Sequence, residues 1–123
     1  MPDMTLLREK LEQILESLHR IQRRSSTIQS PDDFTANEDN LDKLDAIAMM
    51  LIAVGESFKK IDLETDGEWL AKYPEIDWHG VIGLRNVLAH DYFDIDAEEI
   101  YKICRRDIPQ LLNTVQRMLR EIR

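Results

Sequence analysis

One cysteine, Cys104, stands alone in the chain, so neither an internal disulfide nor a cysteine-built zinc cage can form within it. In a helical setting a lone cysteine reads as a small buried apolar side chain. No apolar run approaches the ~18 residues that cross a bilayer. The opening MPDMTLLREK also lacks the basic segment and apolar core of a signal peptide. The expectation is a cytoplasmic protein with no membrane segment. Strand signals are missing too: no convincing apolar/polar alternation occurs, and there is no internal repeat or low-complexity tract. Cations are in short supply, with 16 lysines and arginines against 24 acids and a net charge of −8. That balance argues against a general nucleic-acid coat, because non-specific binding depends on cations displacing counterions from phosphates.

What is there reads as one domain spanning residues 1–123. A chain of this length buries roughly two thirds of the surface its unfolded form exposes. The acidity is concentrated between Pro31 and Asp77, where 13 acids face four lysines. The first thirty residues carry a net charge of +1, and the stretch from Trp78 onward is neutral. A phosphate ligand in that last stretch is not excluded by charge.

Leu7, Leu11, Ile14, Leu18, Ile21, Ser25 and Ile28 alternate at spacings of four and three, which predicts a long first helix. Ser30-Pro31-Asp32-Asp33 then offers a cap candidate, a first-turn proline and two acids suited to a helix N-terminus. A second long helix follows from Leu41, Leu44, Ala48, Leu51, Gly55 and Phe58, with Ile47 and Val54 broadening its face. It should stop near Ile61 or Asp62, before the turn Thr65-Asp66-Gly67. A helical turn over Glu68 to Tyr73 should end at Pro74. The third main helix starts at Asp77 as N-cap and runs to about His90. Asp96 and Glu99 fit a capping arrangement for the next helix, which Pro109 should kink or restart before Leu111, Leu112, Val115, Met118, Leu119 and Ile122 form a last apolar face. The fold class is all-α, an antiparallel bundle of four to five helices.

The third helix carries two faces. Trp78, Val81, Leu84 and Leu88 form a core stripe. His79, Gly83, Asn86 and His90 lie opposite, within roughly 60° of each other on a helical wheel. A glycine inside a helix costs ~1 kcal/mol relative to alanine. Gly83 therefore suggests that another backbone or a ligand approaches there. Arg85 lies about 140° from His90, so it meets that histidine only by extending its side chain or across a subunit interface. By itself such a patch is also what a solvated face or a satisfied interface network looks like.

The run YPEIDWHGVIGLRNVLAHDYFDIDAEEIYKICRRDIPQLL resembles the C-terminal half of the HepT-like branch of HEPN domains, helical proteins of prokaryotic toxin–antitoxin systems. Trp78, Gly83, Arg85, Asn86 and His90 fall in the family's register, and Arg85, His90 and Tyr92 match its R-x4-H-x-Y motif. VGESFKK, with Gly55 and Glu56, is similar to the family's second-helix pattern. The likeness is close from Tyr73 to Leu112 and looser before it.

The resemblance implies a HEPN-like homodimer in which two R-x4-H motifs face each other and form a metal-independent ribonuclease site, with Gly83 at the close approach. Such cleavage needs a base for the 2′-hydroxyl proton, an acid for the leaving oxygen and a cation for the charge building on phosphate. Histidine can take either proton role. One chain supplies a single motif histidine, His90, so a dimer supplies the second. Arg85 would clamp phosphate with its planar donors, and Asn86 would orient the imidazole or donate to the phosphate. Tyr92 matches the tyrosine to which an MNT-type nucleotidyltransferase antitoxin transfers AMP, adding a bulky anion beside the histidine. Asp91, between His90 and Tyr92, would favour a protonated His90 while repelling RNA.

No cofactor or metal is implied. Asp91, Asp94 and Asp96 read as a solvated loop with capping acids, and His19 as a surface residue. His79, on the face of His90, is an extra candidate or a solvent-facing first-turn residue. The competing reading is a non-catalytic helical module that binds a nucleotide or a partner protein.

Overall fold

The computed structural model describes residues 4–84, 88 and 95–122. Helix α1 spans Met4–Ser25 and α2 spans Glu38–Glu64, joined through a 3-10 turn at Pro31–Thr35. A second 3-10 turn, Leu70–Lys72, precedes the short helix α3, Trp78–Ile82. Then come α4 (Ala97–Lys102), a π-helical segment at Ile103–Asp107 and α5 (Ile108–Glu121). Among the described residues there is no strand, and the fold is the all-α bundle that the periodicity predicts.

Cross-helix contacts fix the directions. Lys10 pairs with Glu64 at 2.7 Å and Arg24 reaches the Met50 sulfur at 3.4 Å, so α1 and α2 run antiparallel. Arg8 donates to the carbonyls of Leu119 and Ile122, while Arg105 donates to that of Ile28, so α5 runs antiparallel to α1 on its other side. Leu7, Leu11, Ile14, Leu18 and Ile21 are buried along the α1 stripe. Two members of the predicted stripes behave differently. Ile28 is fully buried but lies beyond the end of α1, in the loop, where its N–H bonds to the Ser25 carbonyl. Leu41 is 39% exposed, because it sits in the first turns of α2 before that helix enters the core.

Local chemistry explains the boundaries. Ser30 and Pro31 open the 3-10 turn rather than the long helix, and Ser30 makes no side-chain cap bond. Fully buried Phe34 anchors that turn. The N-cap of α2 is Asn37, whose side chain accepts from the Asn40 N–H at 2.8 Å. The helix runs two or three residues past its expected stop, to Glu64. There Thr65 donates to the Ile61 carbonyl at 2.8 Å, and the left-handed pair Asp66 (φ 55°) and Gly67 (φ 73°) reverses the chain. Asp77 and Asp96 cap α3 and α4 as expected, accepting from Gly80 and Glu99 at 3.1 Å each. Pro109 has no N–H, and its ring would strike the carbonyl four residues back. The chain responds by widening into the π segment before α5 rather than by breaking.

Three interactions seat α3. Trp78 packs its ring, tilted by 52°, at 4.8 Å from that of the buried Phe58 of α2, and its indole N–H donates to the Tyr73 carbonyl at 2.9 Å. Gly55 of α2 lets the α3 backbone pass, since a Cβ at that position would stand 2.7 Å from the Val81 carbonyl oxygen. A polar clamp then ties the preceding segment to α5. Tyr73 donates to Glu121 at 2.8 Å, Arg117 lies over the Tyr73 ring at 5.0 Å, and the same guanidinium holds Glu75 at 2.6 Å. Thr114 adds a bond to Glu75 at 3.1 Å, and Gln110 donates to the Glu75 carbonyl at 3.0 Å.

Gly55→Ala should lose about 1–3 kcal/mol, since the added methyl must displace the Val81 carbonyl. The loss would appear as a lower urea midpoint at unchanged slope. An unchanged midpoint would mean that the two helices can part without cost. Burial, then the bond to Glu121, push the Tyr73 phenol up from 10 to about 12. The folded state thus favours the neutral phenol. Its contribution is complete below pH 10 and is lost as pH rises through about 12. Urea midpoints measured across that window should fall less steeply in Tyr73→Phe than in the parent; parallel curves would remove the clamp from the account.

Candidate functional site

Arg85, Asn86, His90, Asp91, Tyr92 and Asp94 lie outside the described residues, as does the expected course of the third helix from residue 85 to His90. Their anchorage on either side is on view. Upstream, Val81, Ile82 and Leu84 are half-buried and pack on the core. Leu88, within that stretch, is buried at 4% exposure. Downstream, Ile95 packs against the core, Asp96 caps α4 and Ile100 is fully buried. The core stripe of Trp78, Val81, Leu84 and Leu88 thus faces inward as its spacing implies. The described residues before and after the motif are packed on the bundle.

The polar face is only partly in view. His79 is exposed in the first turn of α3, and His19 is exposed on α1. Gly83 follows α3, and its N–H closes onto the His79 carbonyl at 2.9 Å. A Cβ on Gly83 would meet only the carbonyls of His79 (3.1 Å) and Gly80 (3.7 Å), both from its own turn. Among the described residues, no other element of the chain approaches it. The glycine with a neighbouring backbone against it is Gly55. Gly55 also stands inside a helical stripe, where a glycine costs ~1 kcal/mol relative to alanine, and that cost is the signal in the sequence for the close approach.

Beside the start of α3, Leu84 helps line a cleft of about 390 Å³ between α3 and the helices from α4 to α5. Ile76, Val81, Ile103 and Leu111 form its apolar floor, and carboxylates of Glu75, Asp77, Glu99 and Asp107 stand at its rim. The Glu75 carboxyl is held below the usual carboxylate range, first by a hydrogen bond from its own backbone and then by Thr114 and Arg117. The described walls of the cleft thus carry carboxylates and no cation. No signal in the sequence announced it, because its walls come from segments far apart in the chain.

Cys104 is buried, as its setting predicted, and burial pushes its thiol up to about 11. Among the described residues, no group of histidine, cysteine and carboxylate side chains converges on a point where a metal ion could sit. No described helix is long and apolar enough to cross a membrane.

Comparison with known proteins places this architecture. The family described as ribonuclease HepT-like matches residues 14–118, a span that includes the whole R-x4-H-x-Y motif. A candidate RNase of Methanocaldococcus jannaschii is 29% identical over 118 residues, covering 94% of this chain and 89% of its own length. Another candidate RNase of the same organism is 32% identical over 71 residues, 58% of this chain and 62% of that protein. A probable ribonuclease HepT of Thermococcus cleftensis is 29% identical over 73 residues, 59% of this chain and 63% of its own. In the last two, the matched region spans less than two thirds of the relative's length. No solved structure matches the chain. The match covers α2, the α3 seat, the motif and most of α5, and the chain belongs to the ribonuclease HepT-like family.

Proposed function

We propose that this protein is a HepT-like toxin, a metal-independent endoribonuclease of the cytoplasm that acts as a homodimer. The observation that carries the reading is the family match across residues 14–118 with Arg85, His90 and Tyr92 of the motif all in place. Two motifs, one from each subunit, supply two histidines and two arginines. One His90 takes the 2′-hydroxyl proton as that oxygen attacks phosphorus, and the other protonates the departing 5′-oxygen. Arg85 holds the phosphate through its planar fork and balances the charge that builds in the transition state. Asn86 orients the imidazole or adds a donor to the phosphate, and Gly83 allows the partner's close approach.

Regulation follows from Tyr92. A partner MNT-type nucleotidyltransferase transfers AMP from ATP to its hydroxyl, which loses its proton as pyrophosphate leaves, and the new phosphodiester fills and charges the place a substrate phosphate would take. The fixed seat of α3 supports this reading, because proton transfer between partners needs heavy atoms held within about 2.6–3.2 Å of each other.

Purified protein incubated with cellular RNA should cleave it in the presence of a chelator, and His90→Ala should cut the rate by about 10²–10⁴-fold. Equal cleavage by both proteins, or none by either, would leave the non-catalytic binding module as the better account. Co-expression with the nucleotidyltransferase should raise the intact mass by one adenylyl group, and Tyr92→Phe should abolish the increase. An unmodified Tyr92 in a non-toxic complex would remove this mode of control.

A further inference from the structure

A chain with a net charge of −8 that cuts RNA must gather its cations where the strand runs. Most described arginines and lysines that form close pairs are spent on carboxylates: Lys10 on Glu64, Arg20 on Glu16, Arg117 on Glu75. One place differs. Between the C-terminal half of α1 and the π segment lies an open groove of about 680 Å³, lined by His19, Gln22, Arg23, Ser26, Cys104 and Arg105 among others, with no carboxylate on its described walls. We propose that this groove is a phosphate subsite that holds the backbone of single-stranded RNA away from the point of cleavage. The proposal rests on the ribonuclease reading above and assigns that enzyme a second contact with its substrate.

The groove is built from two helical surfaces. His19, Gln22, Arg23 and Ser26 follow the i, i+3, i+4, i+7 pattern and therefore share one face of α1 and its extension. Opposite them, the wide turn forced by Pro109 presents Arg105. Its guanidinium is pre-positioned by a bond to the Ile28 carbonyl and by stacking 5.3 Å above the Tyr101 ring, while Tyr101 itself donates to Gln29 at 2.7 Å. One edge of that fork is committed and its other donors remain for a ligand. Arg23 is exposed and has no carboxylate partner among the described residues.

A helix C-terminus ordinarily repels anions through its unpaired carbonyls. Here most of those carbonyls have donors. The Ser25 hydroxyl donates to the Gln22 carbonyl at 3.3 Å, the Ser26 hydroxyl to that of Arg23 at 2.8 Å and the Ile28 N–H to that of Ser25 at 3.0 Å, while Arg105 takes the Ile28 carbonyl just beyond. Cys104 adds no charge, since burial keeps its thiol neutral to about pH 11. In chain order, Arg105 of the groove follows the motif by way of Ile95, α4 and the π segment. From Ile95 to Arg105 the chain climbs α4 and the π segment, a rise of roughly 15 Å at helical spacing. Single-strand sites of about 4–16 nucleotides bridge such distances by pairing a cationic track with the backbone.

Arg23→Glu, Arg23→Lys and the parent chain test this with a fluorescent single-stranded RNA made uncleavable by 2′-O-methylation. Arg23→Glu should bind roughly tenfold more weakly at low salt, with a salt dependence shallower by about one. In cleavage assays on unmodified RNA its KM should rise while kcat holds, and Arg23→Lys should keep most of the parent's affinity. Matched thermal unfolding of the three proteins would confirm that the fold is intact. If the parent binds and cleaves RNA but Arg23→Glu matches it in affinity and salt slope, the subsite is overturned and the ribonuclease reading stands. Loss of nucleotidyltransferase binding in Arg23→Glu, with RNA affinity unchanged, also overturns it and assigns the groove to the partner protein. A parent that neither binds nor cleaves RNA overturns both.

Discussion

The Val81 carbonyl passes α2 at the one position where no side chain stands in its way. Gly55 makes that passage possible, and the direction of the third helix depends on it. Once the backbones meet there, Trp78 can pack on Phe58, and Val81 and Leu84 turn toward the core. A glycine inside a 27-residue helix carries a conformational cost that the packing must offset. The clamp of Tyr73, Glu75, Arg117 and Glu121 fixes the same region from the other side. Helix α3, which leads into the motif, is thus held by both packing and hydrogen bonds.

Charge is distributed with the same economy. The net charge of the chain is negative, yet the acids do not line every surface. They rim the cleft between α3 and α5, while the groove along the end of α1 shows arginines, an imidazole and carbonyls that mostly have donors. The proposed RNA contact would use the second of these faces and avoid the first. Overall charge predicts weak general affinity for nucleic acid, and its local distribution leaves room for a specific path.

Much of the bundle was legible in the sequence because helical periodicity reports burial directly. The stripe from Leu7 to Ile21, the caps at Asp77 and Asp96 and the turn at Asp66-Gly67 all follow from local rules. Ile28 and Leu41 match the periodicity without obeying it, since one lies beyond its helix and the other before the core begins. Pro109 announced a break, but whether the chain kinks, restarts or widens into a π turn depends on the packing of Ile103 and Cys104 beneath it. The Gly55 passage and the Glu75 clamp were hidden for a different reason: their partners come from distant parts of the chain. Helical arithmetic gave a polar face around Gly83 and no more. The functional reading of Arg85, His90 and Tyr92 came from the motif and its flanks, because residue types at a spacing do not specify a reaction.

In the proposed dimer a single cleavage site is shared by two subunits and needs both copies of His90. Subunit mixing tests it most directly. Parent and His90→Ala chains are unfolded together, refolded at a fixed total concentration over a range of ratios, and assayed for RNA cleavage. A shared site predicts that activity falls as the square of the parent fraction, because mixed dimers are inactive. Activity that falls in direct proportion to the parent fraction would contradict the claim, since each chain would then hold a complete site of its own.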